Sequence, residues 1–505
     1  MNGDDRLDQT ARRREQTGSR LSAVAMLLTV GLLLGGCATY QDDTRALQQA
    51  WLAGDDLTAA AEAQSQADDS PEGVDALLWR LEEGAAYRSG SEFTQSNTAF
   101  EQAEARVNYY DSQASVRISE QTLATLTNLS FLPYEGTSYD RIMLNTYKAL
   151  NYLSLGDVDA ARVELNRALE RQREAVSANA AAIAEAQENA ETSTQMAQSG
   201  SEDGYNVQRA QNDRRFQQQL GSAYNYLDSY SAYADYVNPF TVFLEGLYFM
   251  CNAASPSDLE RARTAFSRVQ GMLPANTYVR QDLDTVNARL NGQPLPHLTY
   301  VIFETGMAPS RVGQRIDIPL FLVTNQVPYV GVNFPQLKFN DYYVPSLTAV
   351  AGGQSYESAT VSDMDSVVAQ SFKNELPVII TRTLISAGVK AAIQYGVYEA
   401  TKSNSTVNAF AMIATSVYAA ATNQADLRTW LTLPKEFAYC RLPTPESRSV
   451  EIHLRGAQRL TVDLLDGQVN VIYIKSNAPS ASVSVQQFVM KKSDYPMPDQ
   501  GALSL

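Results

Sequence analysis

The chain has 505 residues, 19% of them charged, and a formal net charge of −16. That balance argues against a nucleic-acid binder, which needs a basic face to meet phosphates, and against adsorption to anionic lipid by charge. It has two histidines, His297 in a linker and His453 in a strand run, and neither sits in a zinc-hydrolase or Ser-His motif, so such chemistry is poorly supported.

The first twenty residues hold Arg6, Arg12, Arg13, Arg14 and Arg20, and an apolar run follows from Leu21 to Leu34. A charged start, a short apolar core and then small residues describe a secretory signal. About 14 apolar residues are too few for a membrane span, which takes ~20. Leu34-Gly35-Gly36-Cys37 looks like the lipobox of bacterial lipoproteins, with Gly35 a less typical choice. The small residues let the segment thread a peptidase, and the Cys37 thiol takes diacylglycerol. The alternative is an ordinary signal with a chance cysteine. By this resemblance residues 1–36 are removed and Cys37 carries acyl chains, palmitate among them. More than one chain gives stable anchoring. Ala38 follows, not the Asp associated with inner-membrane retention, which implies the outer membrane with the body in the periplasm. Exposure on the cell surface is the other destination. Removal of 1–36 leaves 35 basic and 52 acidic residues, a net charge of −17.

Residues 37–294 are rich in Ala, Gln and Glu and have helical periodicity. In "IMLNTYKALNYLSLGDVDAARVELNRALERQ", Ala149, Tyr152, Gly156, Ala161, Leu165 and Ala168 fall at the spacing of a tetratricopeptide repeat. Small residues let two helices approach, Gly156 permits the turn, and Asp157 caps the second helix. A second copy has Gly84, Tyr87, Phe100 and Ala103, with Ser96 where Ala is usual. A third has Gly246, Phe249, Ala262, Phe266, Val269 and Pro274, and a weak first has Gly54, Ala59, Ala63 and Pro71. A TPR-like α-helical array is expected, with a non-repeating bundle as the alternative. No proline ends the helix after Ala168. A broad stripe of small apolar residues continues to Ala197, so 168–222 is expected to be a projecting helical hairpin; the alternative is a flexible polar insert.

Beyond "LNGQPLPHLTY" the composition turns β-branched and aromatic. Strands are expected at 298–304, 316–323, 329–339, 342–350, 436–442, 449–455, 459–465, 469–475 and 482–490. Residues 295–491 read as a β-sandwich-like domain with an inserted helix pair over 364–424, and 492–505 as a flexible tail. The fold class is therefore α+β and multidomain. With Arg382 and Lys390 inside it, the pair is expected to cover one face of the sheet; a membrane-penetrating hairpin over 376–422 is the lesser alternative. Cys251 and Cys440 are expected to be buried free thiols, one in a helix and one in a strand, although a periplasmic setting permits a disulfide.

Catalytic motifs are missing: there is no H-E-x-x-H, paired CxxC, G-x-S-x-G, Walker loop or G-x-G-x-x-G. Asp363 and Asp365 are expected to cap a helix beginning near Ser366, and His453 to lie on the surface of an alternating strand. Glu304 and Arg311 flank "TGMAPS" and are expected to pair across a turn, or in a minority reading to hold a ligand. Inner-helix positions of a repeat array line a concave groove. Met143, Thr146, Leu150 and Leu153 are the candidates for such a partner-binding groove, suited to apolar or helical segments. The alternative is that the hairpin or the neighbouring domain fills it.

Three stretches, "YEGTSYDRIMLNTYKALNYLSLGDVDAARVELNRALERQ", "FETGMAPSRVGQRIDIPLFLV" and "RTWLTLPKEFAYCRLP", together resemble an uncharacterised family of proteobacterial lipoproteins. The resemblance implies a lipobox, tetratricopeptide-like helices and a β-rich end, in that order, and an envelope location. It supplies no catalytic residue. The expectation is a lipid-anchored scaffold for unknown envelope proteins, not an enzyme, with no metal or cofactor. The alternative is a periplasmic ligand-binding protein or enzyme using acidic residues of the β domain around Glu304.

Overall fold

The computed structural model describes residues 40–113, 132–198, 206–230, 233, 236–319, 329–401, 425–454 and 458–493. The expected leader, Cys37, the 199–205 link, residues 402–424 of the expected helix pair and nearly all of the expected tail lie outside the described residues.

The first half is helical: α1 (Tyr40–Asp43), α2 (Arg45–Ala53), α3 (Asp56–Asp69), α4 (Ala76–Ser89), α5 (Phe93–Gln113), α6 (Ser138–Ser154), α7 (Val158–Gln198), α8 (Val207–Gln211), α9 (Arg214–Tyr224), α10 (Pro239–Asn252), α11 (Pro256–Met272) and α12 (Thr277–Leu290). The four expected repeat pairs are α2/α3, α4/α5, α6/α7 and α10/α11. Each helix of a pair packs along its mate. The spacing works because a glycine on one helix makes room for an aromatic ring on the next. A Cβ on Gly84 would stand 2.5 Å from Phe100, and one on Gly246 would stand 3.0 Å from Phe266. Gly156 turns between α6 and α7 at φ +79°, and Asp157 accepts from the Ala160 amide at 2.9 Å. The Ser96 hydroxyl donates to the Gly84 carbonyl at 2.6 Å, so a small polar group serves where Ala is usual.

The hairpin expectation needs correction. α7 is a single helix of 41 residues, but its distal half lies chiefly along α13 (Met364–Thr401), from the second half of the chain. The returning segment forms only the short helices α8 and α9, and α9 packs on β2. An alanine-rich stripe admits any closely approaching helix, so its period cannot name the partner. α13 also corrects the capping expectation. Asp363 alone accepts from the Asp365 amide at 3.0 Å and the Ser366 hydroxyl at 2.7 Å, while Asp365 forms an ion pair with Lys435. Among the described residues no helix is long and apolar enough to cross a membrane.

The second half holds β1 (Leu298–Thr305), β2 (Ser310–Pro319), β3 (Tyr329–Lys338), β4 (Leu347–Ala351), β5 (Gln354–Glu357), β6 (Ala359–Asp363), β7 (Glu436–Pro443), β8 (Ser449–Leu454), β9 (Arg459–Asp463), β10 (Val469–Ser476) and β11 (Ser484–Lys491). A five-stranded sheet runs β11-β10-β1-β7-β6, a four-stranded sheet runs β5-β4-β8-β9, and β2 pairs with β3. β1 is parallel to β10 and antiparallel to β7.

Every residue of β1 is buried because both faces of its sheet are covered. Tyr300 and Ile302 join Tyr439, Val471 and Phe488 in a core shared with the helices. Val301 and Phe303 face the other way, into a core with Ala349, Val450 and Ile452 of the second sheet. The change near residue 295 is thus a change of secondary structure within a continuous core. Phe240 of α10 stacks on Phe437 of β7 with ring centres 3.9 Å apart. Cys251 in α10 and Cys440 in β7 are buried free thiols, each pushed up to about 12 by burial.

Candidate functional site

The residues expected to line a partner groove are buried. Met143, Thr146, Leu150 and Leu153 are each 2% exposed or less. The Thr146 hydroxyl lies 2.8 Å from that of Thr241 in α10, and the Asn238 amide that caps α10 reaches the Met143 sulfur at 3.0 Å. α10 of the following helix pair, together with β11 and α13 from the second half of the chain, covers α6.

Glu304 and Arg311 do not pair; their partners lie on other elements. Glu304 forms an ion pair with Lys475 at 2.6 Å and accepts from the hydroxyls of Tyr147 (2.8 Å) and Tyr473. Burial opposes its charge, but Lys475 and Arg88 outweigh it and hold the carboxyl below its usual range. The Lys475 ammonium also sits 4.4 Å from the centre of the Trp51 ring. Glu304 is fully buried and committed to these groups, a fastening between β1, β10 and the first helix pairs. Lys475 carried a readable signal: it is the one charge in the apolar run "VNVIYIKS". His453 is half-buried on β8, 2.7 Å from Glu451.

Arg311, on β2, pairs with Glu375 of α13 at 2.8 Å. Burial works against its charge, yet Glu375 and neighbouring tyrosines raise its pKa. It stands in a cleft of about 750 Å3 between α7, α13, the β2–β3 hairpin and residues 132–141. Ala175, Ala178 and Ala182 of α7 and Val378, Ile379 and Ala387 of α13 supply apolar walls. Charged groups also line it. Arg428 donates to Asp426 (2.7 Å), Asp75 (3.0 Å) and the Leu132 carbonyl (2.8 Å), and Asp111 takes both Arg141 (2.8 Å) and Arg171 (3.1 Å). Periodicity could not assemble this cleft, because its walls lie about 200 positions apart in the chain.

The arrangement offers small apolar walls and fixed ion pairs. Among the described residues no group of three or more His, Cys, Asp or Glu is placed to hold a metal ion. At the opposite extreme of the sequence, Tyr40 is tied into the body. Its hydroxyl donates to Glu82 (3.2 Å) and to the Thr429 carbonyl (3.1 Å), and its ring lies 5.3 Å from that of Trp79. Glu82 also accepts from the amides of Leu431 (2.6 Å) and Thr432 (3.1 Å). Burial pushes its carboxyl up to about 7 against these bonds.

Comparison with protein-family models, with curated proteins and with solved structures gives no match. The likeness to proteobacterial lipoproteins therefore rests on the leader, the quoted stretches and the order of a helical half and a β-rich half.

Proposed function

We propose that this chain is a lipid-anchored envelope protein, acylated at Cys37, whose body serves as an interaction scaffold held close to the outer membrane. The observation that carries this reading is the position of Tyr40. Tyr40, three residues after Cys37 in the sequence, is already tied into the body. Three residues reach roughly 10 Å when extended, so the anchor fixes the body near the headgroups. The α7–α13 cleft is the docking surface of this reading, since its small apolar walls suit an amphipathic helix. Glu304, the residue named for the enzymatic alternative, is buried and engaged with Lys475, Tyr147 and Tyr473, which favours the scaffold reading.

The test is cross-linking in living cells followed by capture, using the lipidated chain, a Cys37→Ala form and an Ala178→Arg, Ala182→Arg form. Acylation predicts a diacyl mass on the N-terminal peptide, and release of the Cys37→Ala form from membranes. A partner lost with the two arginines supports docking in the cleft. Identical partners for all three forms would overturn the scaffold reading.

A further inference from the structure

A second groove, of about 560 Å3, lies between α7, α10 and α11. It forms because α7 runs on beyond the length of a repeat helix, and the next helix pair packs beside the extension. Arg173 of α7 and Arg268 of α11 reach it from two sides, both exposed. Neither makes a hydrogen bond or a close ion pair with a described residue; both act at longer range on Glu245. Arg261 is committed: it meets Glu245 at 2.5 Å and Asn166 at 2.7 Å, and lies over the Phe249 ring at 4.1 Å. Three guanidinium groups against one carboxylate make the groove cationic in a chain whose net charge is −16. Gln172 lines the same groove, is 7% exposed, and has no hydrogen-bond partner at either its amide nitrogen or its oxygen.

These features belong together chemically. Like charges facing one groove repel unless something neutralises them, and a buried amide with nothing to bond is costly. Guanidinium groups match carboxylate and phosphate in both charge and geometry. We propose that the groove binds an oxyanion, a carboxylate or phosphate group of a small organic ligand, gripped by Arg173 and Arg268 and met from below by the Gln172 amide. The site uses other residues of α7 than the α7–α13 cleft does, and it does not depend on acylation at Cys37.

The experiment is isothermal titration of the Cys37→Ala chain at low ionic strength, with inorganic phosphate in one arm and succinate in the other. Saturable one-site binding is expected in at least one arm. Phosphate alone assigns a phosphorylated ligand, succinate alone a carboxylate, and both together the oxyanion class. Arg173→Glu with Arg268→Glu should weaken binding at least tenfold, and Gln172→Leu about threefold or more. Arg263→Glu, on the same helix but paired with Glu260, should leave it unchanged. If charge reversal unfolds the chain, Arg173→Gln with Arg268→Gln gives the same reading. No binding of either anion, or equal binding by the double variant, overturns the proposal.

Discussion

Glu304 of β1 and Lys475 of β10 stand opposite one another in the parallel register and meet in a buried ion pair of 2.6 Å. Removing one partner strands the other charge in the core. Lys475→Met should therefore cost about 3–5 kcal/mol. Glu304→Gln with Lys475→Met together should recover part of that loss. Urea denaturation of the two single variants and the pair checks this, and strict additivity would show that the pair is not coupled.

Gly84 tests the packing within a helix pair. An added methyl would meet the Phe100 ring at 2.5 Å, so Gly84→Ala should destabilise by about 1–3 kcal/mol despite the better helix propensity of Ala. Gly221 in α9 has nothing within 4 Å of such a methyl. There Gly→Ala should stabilise by ~0.5–1 kcal/mol. Opposite shifts in thermal midpoint are the expected result.

Glu436 at the start of β7 predicts a pH dependence. Burial pushes its carboxyl up to about 7, with Asp363 and Asp365 adding to the rise against a hydrogen bond from Thr360. The ordinary value is 4.5, so between pH 4.5 and 7 the folded state binds the proton and the unfolded chain does not. Stability should rise as pH falls through that window, with a slope of up to ~1.4 kcal/mol per pH unit from this group. Asp365, pushed up to about 6 chiefly by burial, acts in the same sense. Glu436→Gln should flatten the slope between pH 5 and 7 in denaturant titrations; an unchanged slope would remove Glu436 as its source.

Tyr40 predicts the stiffness of the first described helices. Tyr40→Ala removes the bonds to Glu82 and Thr429 and the packing on Trp79. Amide exchange of α1 and α2 should speed up by tenfold or more while that of α10 stays unchanged. Uniform acceleration would mean that Tyr40 supports the whole fold and not a local tie.

Much of the architecture was legible in the residues. β-Branched and aromatic runs placed β1, β7, β8 and β10 within a residue or two, and the Gly84–Phe100 and Gly246–Phe266 spacings located the helix pairs, because local backbone geometry dictates which positions share a face. Charges inside apolar strands, Glu304 and Lys475, marked buried positions. Their pairing was not legible: Glu304 reads as a neighbour of Arg311, seven positions on, whereas its partner is 171 positions away.

The sequence by itself determined the leader pattern, the acidic character, the helical half and the β-rich half, since each follows from composition or short-range period. Only the tertiary structure decided that the α10 segment meets Met143 and Thr146, that α7 runs beside α13, and that Arg173, Arg268 and Gln172 share a groove. Those outcomes depend on which elements meet across hundreds of residues. An apolar stripe states that a face will be covered; it carries no information about which distant face will cover it.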